Sequence, residues 1–293
     1  MYRVKIGCSL GYETTAATPL VLMVHPATGP RQFLQREEFI CEPLVPVGEF
    51  KDGFGNVCHR FTLPAGVSRI RYDAVAMVPK EPDAVAPGVK PMPMAELPAE
   101  VLRFTLPSRY AETDKLLDFA WQNFGGLEAG WARAQGICDW VHRNIEYKLG
   151  SSRSDWSACD AIQRRQGVCR DQAHCVVALC RAFNMPARYA VAYLPDILVP
   201  DDDLPMDFHA YAEVYLEGRW WVFDPHKNVP RRGRVFIGSG LDAADVAFAT
   251  IYGAAKLVEF KVWADPVDEA GKVLDLTLPV VKVVPGAQAG RGD

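Results

Sequence analysis

The chain has 293 residues, of which 49% are hydrophobic and 23% charged, with a formal net charge of −4. That is an ordinary globular composition at a length that accommodates two domains. The small net charge argues against a general nucleic-acid or acidic-membrane surface, and no apolar run has the length of a signal peptide or a membrane span. Eight cysteines without a paired spacing pattern fit reduced thiols in a cytoplasm better than a disulfide framework.

Residues 2–10 and 20–25 alternate loosely in polarity. The segment Asp52-Gly-Phe-Gly-Asn56 carries the Asp-Gly and Gly-Asn pairs of a tight hairpin. Strands are predicted on either side of it, over 57–63 and 68–78, the second with Ile70, Tyr72, Ala74 and Ala76 on one face. Helical periodicity is absent before position 95. Short strands with regular turn signals predict a small N-terminal β-sandwich over residues 1–90. Prolines crowd the sequence from Pro79 to Pro98, which excludes helix and central strand and marks a linker, placed at 91–104.

Beyond it the spacing turns helical. Leu116, Leu117, Ala120 and Phe124 share one face of a predicted helix. Trp131, Ala134, Ile137, Cys138, Val141 and Ile145 share a face of the next. His142 lies beside that stripe and reads as structural, as do Cys138 and Cys159, small apolar side chains in a reduced protein. Residues 105–293 are therefore expected to form a second domain, helices packed on an antiparallel sheet with a β-rich tail. The fold class is α+β.

Within that domain Gly167-Val-Cys-Arg-Asp171 opens a helix that runs to about Phe183. Cys169 falls in the first turn, where free N–H groups and the helix dipole favour a thiolate. Three strands follow, over 187–194, 207–216 and 219–223. The last two form a hairpin around Glu217-Gly218, so His209 at one strand's start and Asp224 at the other's end share an edge of the sheet. A carboxylate within reach of an imidazole, with a thiol at a nearby helix end, has the makings of a nucleophile, base and orienter. Cys169, His174, Cys175 and Cys180 are soft ligands, but on one helix they do not converge on a metal. Asp201-Asp-Asp203 lacks the glycine turn and distal glutamate of a calcium loop. No metal and no cofactor is expected. Arg231-Arg-Gly-Arg234 is able to bind a phosphate or a carboxylate, with a solvated loop the favoured account.

Three blocks, Gly167-Val-Cys-Arg-Asp-Gln-Ala-His174, His209-Ala-Tyr-Ala-Glu-Val-Tyr215 and Gly218-Arg-Trp-Trp-Val-Phe-Asp-Pro225, closely resemble the core of the transglutaminase-like superfamily. The resemblance covers roughly 105–265 and keeps the family's order of Cys, His and Asp. The strand domain resembles the one preceding this core in many bacterial members. It implies a papain-like arrangement with Cys169 as nucleophile, His209 as base and Asp224 as orienter. The activity implied is acyl transfer at an amide of a peptide or protein substrate, with hydrolysis by a cysteine peptidase favoured. Transamidation onto an amine, or a non-catalytic binding module, are the alternatives. Two departures bear on the pocket: Tyr211 stands where Trp is common, and His226 where Thr is common. One of Trp220 and Trp221 is expected in the core and the other facing the cleft. Gln163, six positions before Cys169, resembles the papain-like glutamine of an oxyanion hole in its spacing, with a solvent-facing polar side chain the favoured account.

Overall fold

The computed structural model describes residues 1–200 and 204–279. The Asp201–Asp203 run and the part of the expected β-rich tail beyond 279 lie outside the described residues. Six strands open the chain: β1 (Tyr2–Thr14), β2 (Thr18–Leu22), β3 (Phe33–Glu42), β4 (Gly48–Lys51), β5 (Val57–Leu63) and β6 (Gly66–Val78). Alternation sets their faces: Ile70, Tyr72, Ala74, Ala76 and Val78 of β6 are buried, with more exposed residues between them. The chain continues with α1 (Ala99–Leu102), α2 (Leu117–Phe124), α3 (Trp131–Asn144), β7 (Glu146–Tyr147), α4 (Ala158–Arg164), β8 (Gln166–Gly167) and α5 (Cys169–Arg181). It then forms β9 (Ala187–Tyr193), β10 (His209–Leu216), β11 (Arg219–Phe223), β12 (Val235–Gly240), β13 (Ala249–Ile251) and β14 (Ala255–Val267).

Two four-stranded antiparallel sheets, ordered β14-β1-β6-β3 and β13-β2-β5-β4, make the N-terminal unit. They meet face to face, with the rings of Phe39 on β3 and His59 on β5 stacked at 4.8 Å between centroids. The tail departs from the grouping read from sequence. β14 pairs along the whole of β1, from Arg3↔Val267 to Thr14↔Ala255, and β13 pairs with β2. Periodicity reveals that a segment is a strand but not which edge it completes, and β1 has two edges to satisfy.

The second unit is built on the sheet β11-β10-β9-β12. Helix α5 packs on β9 and β10 on one side and on α3 and α4 on the other. It is enclosed all round, every residue from Asp171 to Arg181 being buried. Arg181 ends this helix as a hydrogen-bonding hub. Its Nε donates to Ala187 O at 2.9 Å, Nη1 to Leu106 O at 2.9 Å and Nη2 to Leu241 O at 2.7 Å.

The two units are tied by side chains that cover the free edge of β12. Gln32 Oε1 accepts from Phe236 N–H at 2.8 Å and its Nε2 donates to Phe236 O at 2.7 Å. Asn56, from the hairpin tip singled out in the sequence, does the same for Ser239. A Cβ on Gly238 would lie 2.6 Å from Asn56 Oδ1, so this position requires glycine for the close approach. The proline-rich segment is neither helix nor sheet strand until Met94, and it lies against the second unit. Val89 O accepts from Trp131 N–H at 2.9 Å, and Asp83 N–H donates to Arg231 O at 2.8 Å.

Candidate active site

The start of α5 is organised by its third residue. Asp171 is fully buried. Its Oδ2 accepts from Val168 N–H at 2.9 Å, satisfying a donor just outside the helix, and Arg170 Nη2 lies 3.0 Å from Oδ1. Gly167 is needed there because a Cβ would stand 2.7 Å from Asp171 Cβ. This cap aims the first turn at the sheet, where Cys169 Sγ sits 3.9 Å from Phe208 O beside the start of β10.

On that sheet β10 and β11 pair with Ala212 opposite Phe223 and Leu216 opposite Arg219. The pairing carries His209 and Asp224 to the same end. His209 Nε2 and Asp224 Oδ2 are 2.7 Å apart, the carboxylate being 3% and the imidazole 11% exposed. Asp224 Oδ1 accepts from His226 N–H at 3.3 Å, and His142 Nδ1 contacts the carbonyl of Pro225 at 2.9 Å. The structural histidine of the sequence reading thus steadies the turn after Asp224. Cys169 and His209 line one cavity of about 70 Å³, together with Tyr147, Asp207, His226 and Arg231.

The electrostatics differ from expectation at the sulfur. Burial pushes the Cys169 thiol up to about 12, with the Asp207 and Asp224 carboxylates adding to the rise and the backbone N–H groups of Ala210 and Arg170 opposing it. The helix start supplies the donors that sequence predicted, but enclosure outweighs them. Asp207 is itself raised by burial, against a hydrogen bond from Phe208 N–H and the nearby His209. Burial also works against charge on Asp224, yet His209 and Arg234 together hold its carboxyl far below the usual range.

Arg234 corrects the reading of the Arg231-Arg-Gly-Arg234 run as a solvated loop. Its side chain is 8% exposed, with Nη2 at 2.9 Å from both Asp224 Oδ2 and Asp83 Oδ2. Arg231 is 3% exposed and pairs with Asp196 at 2.8 Å. Asp224 ends β11 ten positions before Arg234, whereas Asp83 comes from the proline-rich segment and Asp196 from the loop after β9, and nothing local in sequence announces those two. Tyr211, the departure at the hairpin, is fully buried, and the Arg234 guanidinium lies over its ring at 4.0 Å.

Other expectations fall elsewhere. Gln163 is exposed on α4 and is not part of the cavity around Cys169. Trp221 packs on Trp131. Trp220 meets Phe104 and Tyr215 and faces a separate cavity of about 720 Å³ behind the sheet, so neither tryptophan faces the Cys169 cleft. His174 is buried between the rings of Tyr110 and Tyr189, and its Nε2 accepts from Ala243 N–H at 3.1 Å. Cys175 Sγ lies 3.7 Å from Ala158 O. Among the described residues no three His, Cys, Asp or Glu side chains are grouped to hold a metal ion.

Comparison with known proteins agrees with this architecture. The model of the transglutaminase-like superfamily matches residues 120–225. The crystal structure of a "putative cysteine protease" from Cytophaga hutchinsonii is 33% identical, covers 91% of each chain and superposes with a TM-score of 0.84. The chain belongs to the transglutaminase-like superfamily. The periplasmic domain of TgpA from Pseudomonas aeruginosa is more distant, at 15% identity and a TM-score of 0.39 over 76% of this chain and 90% of that one. No curated protein matches. The superfamily core spans α3, α5 and the β10–β11 hairpin, so Cys169, His209 and Asp224 all fall inside the matched region. No helix among the described residues is long and apolar enough to cross a membrane.

Proposed function

We propose that the protein transfers acyl groups at amide bonds through a thioester on Cys169, with His209 as base and Asp224 as orienter. The observation that carries this reading is the 2.7 Å contact of His209 Nε2 with Asp224 Oδ2 at the edge of the cavity shared with Cys169. With Nε2–H donating to the carboxylate, Nδ1 is left as the acceptor for the thiol proton. The raised thiol favours proton transfer that accompanies attack over transfer that precedes it. The S–H proton passes to Nδ1 as sulfur bonds the carbonyl carbon, and the oxyanion meets the Cys169 backbone N–H in the open first turn of α5. Collapse breaks the C–N bond, and Nδ1 returns the proton to the departing amine. Water, activated by the same nitrogen, then releases the acid and regenerates the thiol.

Water is favoured over an amine as acceptor, so the reading is a cysteine peptidase or amidase acting on a peptide or isopeptide. The name given to the Cytophaga relative supports it. All eight cysteines are free, a state that suits a reducing cytoplasm. The test is mass spectrometry of a peptide pool incubated with the protein, with and without a primary amine, beside Cys169→Ser. New termini that vanish in the variant support hydrolysis. Amine adducts or deamidation at glutamine side chains support transamidation. Absence of any Cys169-dependent product rejects general amide chemistry in favour of a binding module.

A further inference from the structure

Asp224 receives two nitrogen donors on a single oxygen. Its Oδ2 lies 2.7 Å from His209 Nε2 and 2.9 Å from Arg234 Nη2, while Oδ1 takes the His226 N–H. The guanidinium is in turn gripped from outside the sheet: Nη2 donates to Asp83 Oδ2 at 2.9 Å and Nε to Asp83 Oδ1 at 3.4 Å. Asp83 belongs to the proline-rich segment, and a second bond from Arg231 N–H at 3.1 Å holds it in place. Below, Arg234 rests on the ring of Tyr211.

We propose that Arg234, held by Asp83, is a positioning residue that fixes the Asp224 carboxylate against His209 and balances its charge. The inference rests on the acyl-transfer reading above. A planar guanidinium engaged on two sides cannot swing, and a carboxylate bonded through both oxygens cannot rotate, so the imidazole acceptor is held in one orientation. Charge sets the second role. Asp83, Asp224 and Arg234 together carry one net negative charge, which a protonated His209 neutralises. Removing the guanidinium leaves two carboxylates beside the imidazole and makes it a stronger base. Removing the charge of Asp83 leaves Asp224 and Arg234 as a neutral pair beside the imidazole and makes it a weaker one. Among the described residues, the other groups around the imidazole are Cys169 on α5, Tyr147 on β7, Asp207 before β10, Tyr211 on β10, His226 and Lys227 after β11, and the Arg231–Asp196 pair. They are the same in every variant, so the sign of the change belongs to the substituted group.

The test is an NMR titration of the His209 ring in the full chain, assigned by the signal lost in His209→Gln, alongside the pH profile of the Cys169-dependent rate. Arg234→Met is expected to move the ring's midpoint up by about one pH unit and Asp83→Asn to move it down by a smaller amount, with Arg234→Lys close to wild type. The acid limb of the rate should follow in the same directions. A purely structural arginine would give no opposed pair of shifts. Midpoints that move together, or stay still in both variants, overturn the proposal. Should Arg234→Met fail to fold, Asp83→Asn against Arg234→Lys still decides the sign. The ring titration needs no substrate, so an inactive wild type with opposed midpoints would sink the acyl-transfer reading alone. An active wild type with unmoved midpoints would sink only the role of Arg234.

Discussion

The carboxamide of Asn56 completes the backbone of Ser239: Nδ2 donates to Ser239 O and Oδ1 accepts from Ser239 N–H, each at 2.9 Å. The same Nδ2 donates to Asp52 Oδ2 at 2.8 Å. Both partners of that nitrogen are acceptors, so Asn56→Asp would set a buried carboxylate against a carbonyl and a second carboxylate. A loss of about 3 kcal/mol is expected, read as a lower denaturation midpoint in urea. Gly238→Ala, which intrudes on the same carboxamide, should destabilise in the same direction.

Acid should unfold the protein partly through His174. Burial depresses this imidazole to about 3, against the pull of Asp242, whereas an unfolded histidine titrates near 6.5. Between those values the unfolded chain binds a proton that the native state refuses, so stability is full above about pH 6.5 and falls as the pH drops toward 3. His174→Phe retains a ring between Tyr110 and Tyr189 and cannot titrate. Its unfolding free energy, measured by urea at several pH values, should be lower overall but flatter across this window by up to about 1.4 kcal/mol per pH unit. An unchanged slope would remove His174 from the account.

The raised thiol of Cys169 has a direct kinetic signature. Alkylation by iodoacetamide, followed by peptide mapping, should be slow at neutral pH and still climbing above pH 9, because burial carries the thiol to about 12. A plateau below pH 7 would instead reveal a standing thiolate–imidazolium pair.

Arg181, 1% exposed, donates from all three guanidinium nitrogens to carbonyls and a hydroxyl. Arg181→Met would leave those acceptors dry, with an expected loss of about 3 kcal/mol seen as a lower melting temperature. Arg181→Lys should restore only part of it, since one ammonium cannot reach acceptors spaced for a fork.

What sequence revealed of the site follows from distance along the chain. His209 and Asp224 lie on one hairpin, so pairing geometry alone brings them together. Cys169 stands out because a glycine and a polar stretch precede an apolar helix. The fold class was legible for the same reason, each strand and helix carrying its own period. The layer around these residues was hidden. Asp83 meets Arg234 across 151 positions, and an arginine-rich turn offers no sign that it is buried. The rise in the Cys169 thiol was equally hidden, because enclosure is set by Phe208, Asp207 and the sheet, not by the helix that carries the sulfur. Asp171 could have been found, since an acidic residue three places into a helix is a recognisable capping signal.

The pairing of β1 with β14 imposes an order on synthesis. Lys5 must await Asp265, so one edge of the first strand stays open while the ribosome makes α5, the β10–β11 hairpin and everything between. An open edge is a template for pairing with other chains. The sheet built on β1 is therefore among the last parts of this fold to close, and a chaperone bound during translation would find its natural target at residues 2–14 and not at the cleft.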